Sequence, residues 1–404
     1  HPQKVGWEHF RGVINNLDKM PTMDLANTFT GSGLSDAATS SQKPGYHNYV
    51  WYDSVDNAVT QSVTYVTKYS RQEVEDYIKN GTGSDPWFVC WNLSAAHSPF
   101  GDRFDNGDGN SGCRPPSGEI HSAESTYNDM STTDAAVWNS VRACLENVDL
   151  NIGQLRTSLG TSVWANTMVV IMGDNGTPDV VLDSGVNEGE SYGSYYINNV
   201  ISTASKHLKT SLYEGGIKVP LIVSGPLVGG TAGRKSMEPV FITDMFATFL
   251  DMISVEMPTK QGTYFDSHSF LPVLDSDKGQ TLRKEIFVEN TDLNGFPGFT
   301  DFDSTGNTRE SALILRFTDE EYGPYKGTYK MHYNMNDGTS ELYKLRDATQ
   351  NNVDSYESND LDSNYATIAA LTDPRRKIWD YMRSRILYYH YSNGGPNLEE
   401  GYDT

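Results

Sequence analysis

A chain of 404 residues can bury a large core and suffices for one large domain with a smaller partner, or for two medium domains. Its 31 Lys and Arg against 53 Asp and Glu leave a formal charge of −22, which argues against binding a nucleic-acid backbone. No apolar run approaches the length that spans a bilayer.

Taken in chain order, Ser70-Arg71-Gln72-Glu73 has the pattern of a capping box and predicts a helix through Ile78. Residues 81–86 then break the chain before an apolar strand over 87–93. Residues 100–131 are polar, Gly-rich and without period, which predicts a long loop. Val137, Val141, Leu145, Val148, Ile152 and Leu155 fall at helical spacing and predict a helix over 133–159 that leads into a strand over 168–172.

That strand runs into Met172-Gly173-Asp174-Asn175-Gly176. Two oxygen-bearing side chains followed by Gly suit the carboxyl end of a parallel strand at a site, where Asp and Asn can offer hard oxygen ligands to Ca²⁺ or Mg²⁺. The same string is common turn chemistry, and on the residues alone both readings stand. A strand over 219–223 and an amphipathic helix over 240–253 follow. Repeated αβ units predict an α/β class with a mostly parallel central sheet sandwiched by helices.

Beyond about residue 284 the rhythm turns to β. Strands are expected over 312–317, 328–333 and 341–345, with a last helix over 364–389, giving a smaller carboxy-terminal antiparallel sheet plus helix. The expected organisation is an α/β domain over 1–283 and an α+β subdomain over 284–404. Three cysteines give an odd count without metal spacing. Cys90 is expected as a small buried residue of its strand and Cys113 as a surface-loop cysteine; a Cys113–Cys144 disulfide stays open.

Five strings in order resemble the sulfatase family of the alkaline phosphatase superfamily. Trp87 to Phe100, with Ala95-Ala96-His97-Ser98-Pro99, is similar to the family's Ala-Pro-His-x-Pro strand end. Asn147-Val148-Asp149 is similar to the helix before the Asp-Asn-Gly strand. Leu212 to Val223, opening with Leu212-Tyr213-Glu214-Gly215-Gly216, resembles the family's most recognisable string. Thr243-Asp244 and Glu341-Leu342-Tyr343 match later landmarks.

The resemblance implies hydrolysis of a sulfate ester of a small molecule or glycan, in a secreted, periplasmic or lysosome-like compartment. It implies Asp174 and Asn175 as ligands of Ca²⁺, with Mg²⁺ the lesser choice, His97 as a proton-exchanging group and Lys209 as the cation facing the sulfate. His207, two positions before Lys209, would also face the cleft, and Glu214 would shape its turn. Phosphate or phosphonate ester hydrolysis on the same scaffold, and a non-catalytic binding or structural role, are the alternatives.

The family's formylglycine arises from Cys in a Cys-x-Pro-x-Arg string, which this chain lacks. Cys113-Arg114-Pro115-Pro116-Ser117 has the Pro, but Ser where Arg is required, and it follows His97 instead of preceding it. The opening His1-Pro2-Gln3-Lys4-Val5-Gly6-Trp7 resembles a family stretch that lies after the nucleophile. The nucleophile is therefore expected in a preceding part of the protein or in a separate amino-terminal fragment.

Overall fold

The computed structural model describes residues 7–13, 45–97, 112–177, 209–258, 266–291, 309–334, 338–361 and 374–392, apart from short interruptions. Contacts divide the chain into two units, one of residues 1–166 and 180–198, the other of 167–179 and 199–404.

In the first unit, β1 (Arg11–Gly12), β2 (Tyr49–Asp53) and β3 (Ala58–Ser62) form an antiparallel sheet. Its aromatic side chains Tyr49 and Trp51 join Tyr46, Tyr65, Val66, Cys113 and Cys144 in one core cluster. Helix α1 (Val66–Asp76) passes into a single π turn at Tyr77–Gly81, and α2 (Thr133–Ala165) is the long helix expected from its spacing. Gly160, at φ 76°, breaks the helical backbone near its end, a conformation that costs Gly little.

Two expectations are corrected here. Ser70 does not cap a helix, because burial of Tyr65 and Val66 draws the start of α1 five residues further back. The Ser70 hydroxyl instead donates to the Thr67 carbonyl (3.0 Å) and accepts from Trp91 Nε1 (3.0 Å). Residues 87–93 are extended, yet belong to no sheet among the described residues. They still alternate: Trp87, Val89 and Trp91 pack against Ile78, Leu155 and Leu159, which turns Cys90 outward to an exposed position.

In the second unit, β4 (Val169–Met172) pairs with β5 (Leu221–Ser224). The pair is antiparallel, Met172 opposite Leu221 and Val169 opposite Ser224, against the parallel relation expected for successive αβ units. Met168, Val170, Leu221 and Val223 line one face and pack on α4 (Asp244–Met252) and α5 (Leu271–Asp275).

The last four strands form an antiparallel meander: β6 (Glu285–Thr291), β7 (Arg309–Phe317), β8 (Gly327–Asn334) and β9 (Ser340–Arg346). Helix α6 (Pro374–Ser392) covers one face, burying Ile378, Trp379, Met382 and Ile386 against Leu313, Leu315, Tyr329, Met331 and Leu342. The expected helix over 364–389 is described only from Pro374, since 364–373 lie outside the described residues. Successive side chains of β8 point to opposite faces, so Lys330 and His332 leave the face that Tyr329 and Met331 present to α6.

Candidate functional site

The antiparallel pairing decides what meets at the carboxyl end of β4. In a parallel pair, Met172 would lie beside the far end of its neighbour; here it lies beside the start of β5 and the turn before it. Gly173 N–H donates to the Pro220 carbonyl (3.1 Å) and Gly176 N–H to the Gly216 carbonyl (2.9 Å). A Cβ on Gly176 would stand 1.9 Å from the Gly215 carbonyl oxygen, so this glycine is required for close approach of two backbones. The Asp-Asn-Gly turn is thereby clasped to α3 (Glu214–Ile217), the helical turn of the Glu-Gly-Gly string.

Asp174 is exposed and Asn175 half-buried; the Asn175 N–H donates to Asp174 Oδ1 at 2.9 Å. Partial burial by itself would raise the Asp174 carboxyl. Hydrogen bonds from Asn175 and the positive charge of Lys209 outweigh it and leave the group below its ordinary range. Lys209 is fixed through its own backbone, its N–H donating to the Thr177 carbonyl (3.0 Å). Asp174, Asn175 and Lys209 are therefore brought together by residues that lie more than 30 positions apart in sequence. A carboxylate beside a carboxamide is a hard-oxygen pair, donor chemistry that suits Ca²⁺ or Mg²⁺.

His97 belongs to the first unit and is exposed at the end of the extended 87–93 run. Its backbone is held by buried Tyr46, whose hydroxyl lies 2.5 Å from the Ser94 carbonyl, 2.8 Å from the His97 carbonyl and 3.0 Å from the His97 N–H. The hydroxyl donates to one carbonyl and accepts from the amide, so one phenol fixes the turn that carries the imidazole. His207 lies outside the described residues.

A family model described as Sulfatase matches residues 4–255. The chain belongs to the sulfatase family. It is 23% identical over 213 residues to a sulfatase of Formosa agariphila, a match covering 50% of this chain and 32% of that protein. The chain thus aligns with about a third of the length of that curated relative. Among solved structures it is similar to Ps i-CgsB, with a TM-score of 0.60 at 16% identity, covering 98% of this chain and 69% of the other. It is similar also to BT4656, solved with its substrate D-glucosamine-2-N,6-O-disulfate, with a TM-score of 0.52 at 15% identity over 88% and 75% of the two chains. The fold is accordingly the alkaline phosphatase-like α/β fold of sulfatases, with a smaller carboxy-terminal antiparallel sheet and helix.

In this member of the family, the Tyr-Glu-Gly-Gly string is anchored by residues that sequence reasoning missed. Lys330, fully buried, lies 3.4 Å from Glu214 Oε1 and 2.9 Å from Glu357 Oε1. The other Glu357 oxygen accepts the Glu214 backbone N–H. His332 Nε2 lies 2.8 Å from Glu357 Oε1, and its ring stacks on Tyr213 with centroids 4.0 Å apart. Tyr213 in turn donates to Glu341 of β9, which also accepts from Tyr343 (2.7 Å). Burial first, then the Glu341 carboxylate, hold both phenols well above their ordinary range, so they remain protonated donors. Glu214 is thus spent on an internal ion pair. The only advance signal of this joint is two polar residues, Lys330 and His332, alternating with Tyr329, Met331 and Tyr333 in the strand.

Proposed function

We propose that the complete protein hydrolyses a sulfate ester carried by a saccharide, with His97 and Lys209 acting on the substrate. The observation that carries this reading is the clasp that sets Lys209 against the Asp174-Asn175 pair. A sulfated sugar as substrate class is supported by the disulfated glucosamine bound to the similar BT4656.

Lys209, a compact cation, would neutralise charge developing on the leaving oxygen. His97, on its Tyr46-fixed turn, would give a proton to that oxygen as the ester bond breaks. Asp174 and Asn175 would hold Ca²⁺, which needs about six to eight oxygen donors and so draws others from elsewhere; when bound it supplies positive charge against the sulfate. The formylglycine nucleophile would come from outside these 404 residues, since none of Cys90, Cys113 and Cys144 stands in a Cys-x-Pro-x-Arg string. A secreted, periplasmic or lysosome-like location accords with this reading. No helix among the described residues is long and apolar enough to cross a membrane.

The test is sulfate release from sulfated saccharides by the complete protein with calcium. Lys209→Ala and His97→Ala are each expected to lower kcat/KM by about 10²- to 10³-fold at unchanged thermal midpoint. Asp174→Ala is expected to lose one equivalent of calcium by elemental analysis. Unchanged turnover in both substrate-facing variants removes their roles, and turnover of phosphate monoesters in preference to sulfate esters moves the protein to the other branch of its superfamily.

A further inference from the structure

Cys113 and Cys144 were the least promising residues of the sequence, one in a polar loop and one in a helix. Both are wholly buried, at 0% exposure, in a single core cluster. This corrects the surface-loop reading of Cys113, and the reason is aromatic: Tyr46, Tyr49, Trp51 and Tyr65 enclose the loop segment that carries it. One phenol touches both cysteines, since the Tyr65 hydroxyl donates to the Cys113 carbonyl (2.7 Å) and lies 3.3 Å from Cys144 Sγ. Tyr46 stacks on Tyr65 with centroids 5.7 Å apart.

The segment around Cys113 is also docked from several sides. Lys68 of α1 pairs with Glu119 (2.6 Å), Asn147 of α2 donates to the Glu119 carbonyl (2.7 Å), and the Ser122 N–H and hydroxyl donate to Glu146 of α2 (2.9 and 2.6 Å). His47 Nε2 lies 3.0 Å from the Arg114 carbonyl. Cys144 sits on the same helix as Asn147 and Glu146, so the backbones carrying the two thiols are fixed to one another.

We propose that Cys113 and Cys144 form a disulfide that ties the 112–123 segment to α2, beside the Tyr46 phenol that holds the His97 turn. Each thiol gives up its proton, and the pair gives up two electrons as the S–S bond forms. A small-molecule disulfide such as glutathione disulfide accepts them, its own S–S bond breaking to two thiols. The two positions lie 31 apart in sequence, so the bond removes substantial freedom from the unfolded chain. All three cysteines are free thiols in this structure, and exposed Cys90 is the one the bond would leave over. The inference does not depend on the hydrolytic reading.

The test is peptide mapping of the complete, unsubstituted protein prepared with glutathione disulfide, denatured without reductant and alkylated. The expected result is a cross-linked Cys113–Cys144 peptide with alkylation confined to Cys90. Reduction should then lower Tm by about 5–10 °C. Cys113→Ser and Cys144→Ser should match the reduced protein and stop responding to reductant. Alkylation of all three cysteines, or a cross-link that includes Cys90, overturns the proposal. Because the map uses the natural chain, failure of a Ser variant to fold leaves the decision intact.

Discussion

Asp244→Ala is expected to destabilise the protein by about 3–5 kcal/mol, the cost of stranding a buried charge. The Asp244 side chain is 0% exposed and takes the Arg283 guanidinium in a fork: Nε at 3.0 and 2.8 Å from the two carboxylate oxygens, and Nη2 at 2.7 Å from Oδ1. Backbone amides complete it, His268 N–H to Oδ1 and Phe241 N–H to Oδ2, both 2.8 Å. One carboxylate thus braces the start of α4, the 266–270 segment and the chain entering β6. Burial alone would lower the Arg283 pKa, yet the hydrogen bonds and charges of Asp244 and Asp266 raise it, so the guanidinium is charged in the native protein. With Asp244 gone, its remaining carboxylate partner is Asp266 (2.9 Å), 70% exposed and therefore weak. Asp244→Asn keeps one acceptor oxygen, enough for one of the two backbone amides, and should cost less than the Ala variant. Urea unfolding measures both, and a loss below about 1 kcal/mol for Asp244→Ala would contradict the brace.

The second large effect lies at the joint behind the Glu-Gly-Gly turn. Lys330→Met leaves Glu357, wholly buried, and Glu214, 9% exposed, without their shared cation, and is expected to cost about 3–5 kcal/mol. Burial by itself would raise the Glu357 carboxyl. The hydrogen bond from His332 and the charge of Lys330 win, and hold it down to about 2 against an ordinary 4.5. His332 is pushed below 6.5, chiefly by burial, and so donates as a neutral imidazole.

Both shifts act with the same sign on stability. As pH falls, the unfolded chain takes up these protons before the native one does, so acid favours unfolding. The His332 contribution, complete above 6.5, declines below that value; the Glu357 contribution, complete above 4.5, is lost as pH falls towards 2. Urea midpoints should therefore decline gently from pH 6.5 and steeply below 4.5, and Glu357→Gln should flatten the steep limb. An unaltered profile in that variant would refute the assignment.

The strands at 312–317, 328–333 and 341–345 were legible because apolar residues alternate between short turns, and α2 because its apolar spacing persists over about five turns. β6 was missed: Glu285, Glu289 and Asn290 dilute the alternation of a strand that sits at the sheet edge and buries little. The capping box misled because a local hydrogen-bond pattern competes with burial of two large side chains, and burial wins. Cys90 and Cys113 exchanged their expected positions for the same reason: exposure was decided by packing against residues distant in sequence, Ile78, Leu155 and Leu159 under the alternate face for one and Tyr46, Tyr49 and Tyr65 around the other. At the candidate site, the Asp174-Asn175-Gly176 turn was readable as a local string. The joint that holds its partner turn was not, since Lys330 and Glu357 reach Glu214 across 116 and 143 positions.

The string by which such chains are most easily recognised thus reports the assembly of two layers. Glu214 faces Lys330, the Gly216 carbonyl takes the Gly176 amide, and Tyr213 lies on His332. None of these contacts requires a turnover. A lineage that gave up hydrolysis would still be selected to keep Tyr213, Glu214 and Gly176 for as long as it had to fold, while Lys209 would be free to drift. Loss of the lysine ahead of an intact Glu-Gly-Gly string is the expected mark of a retired member, and the order in which those positions decay dates the loss of chemistry separately from the loss of fold.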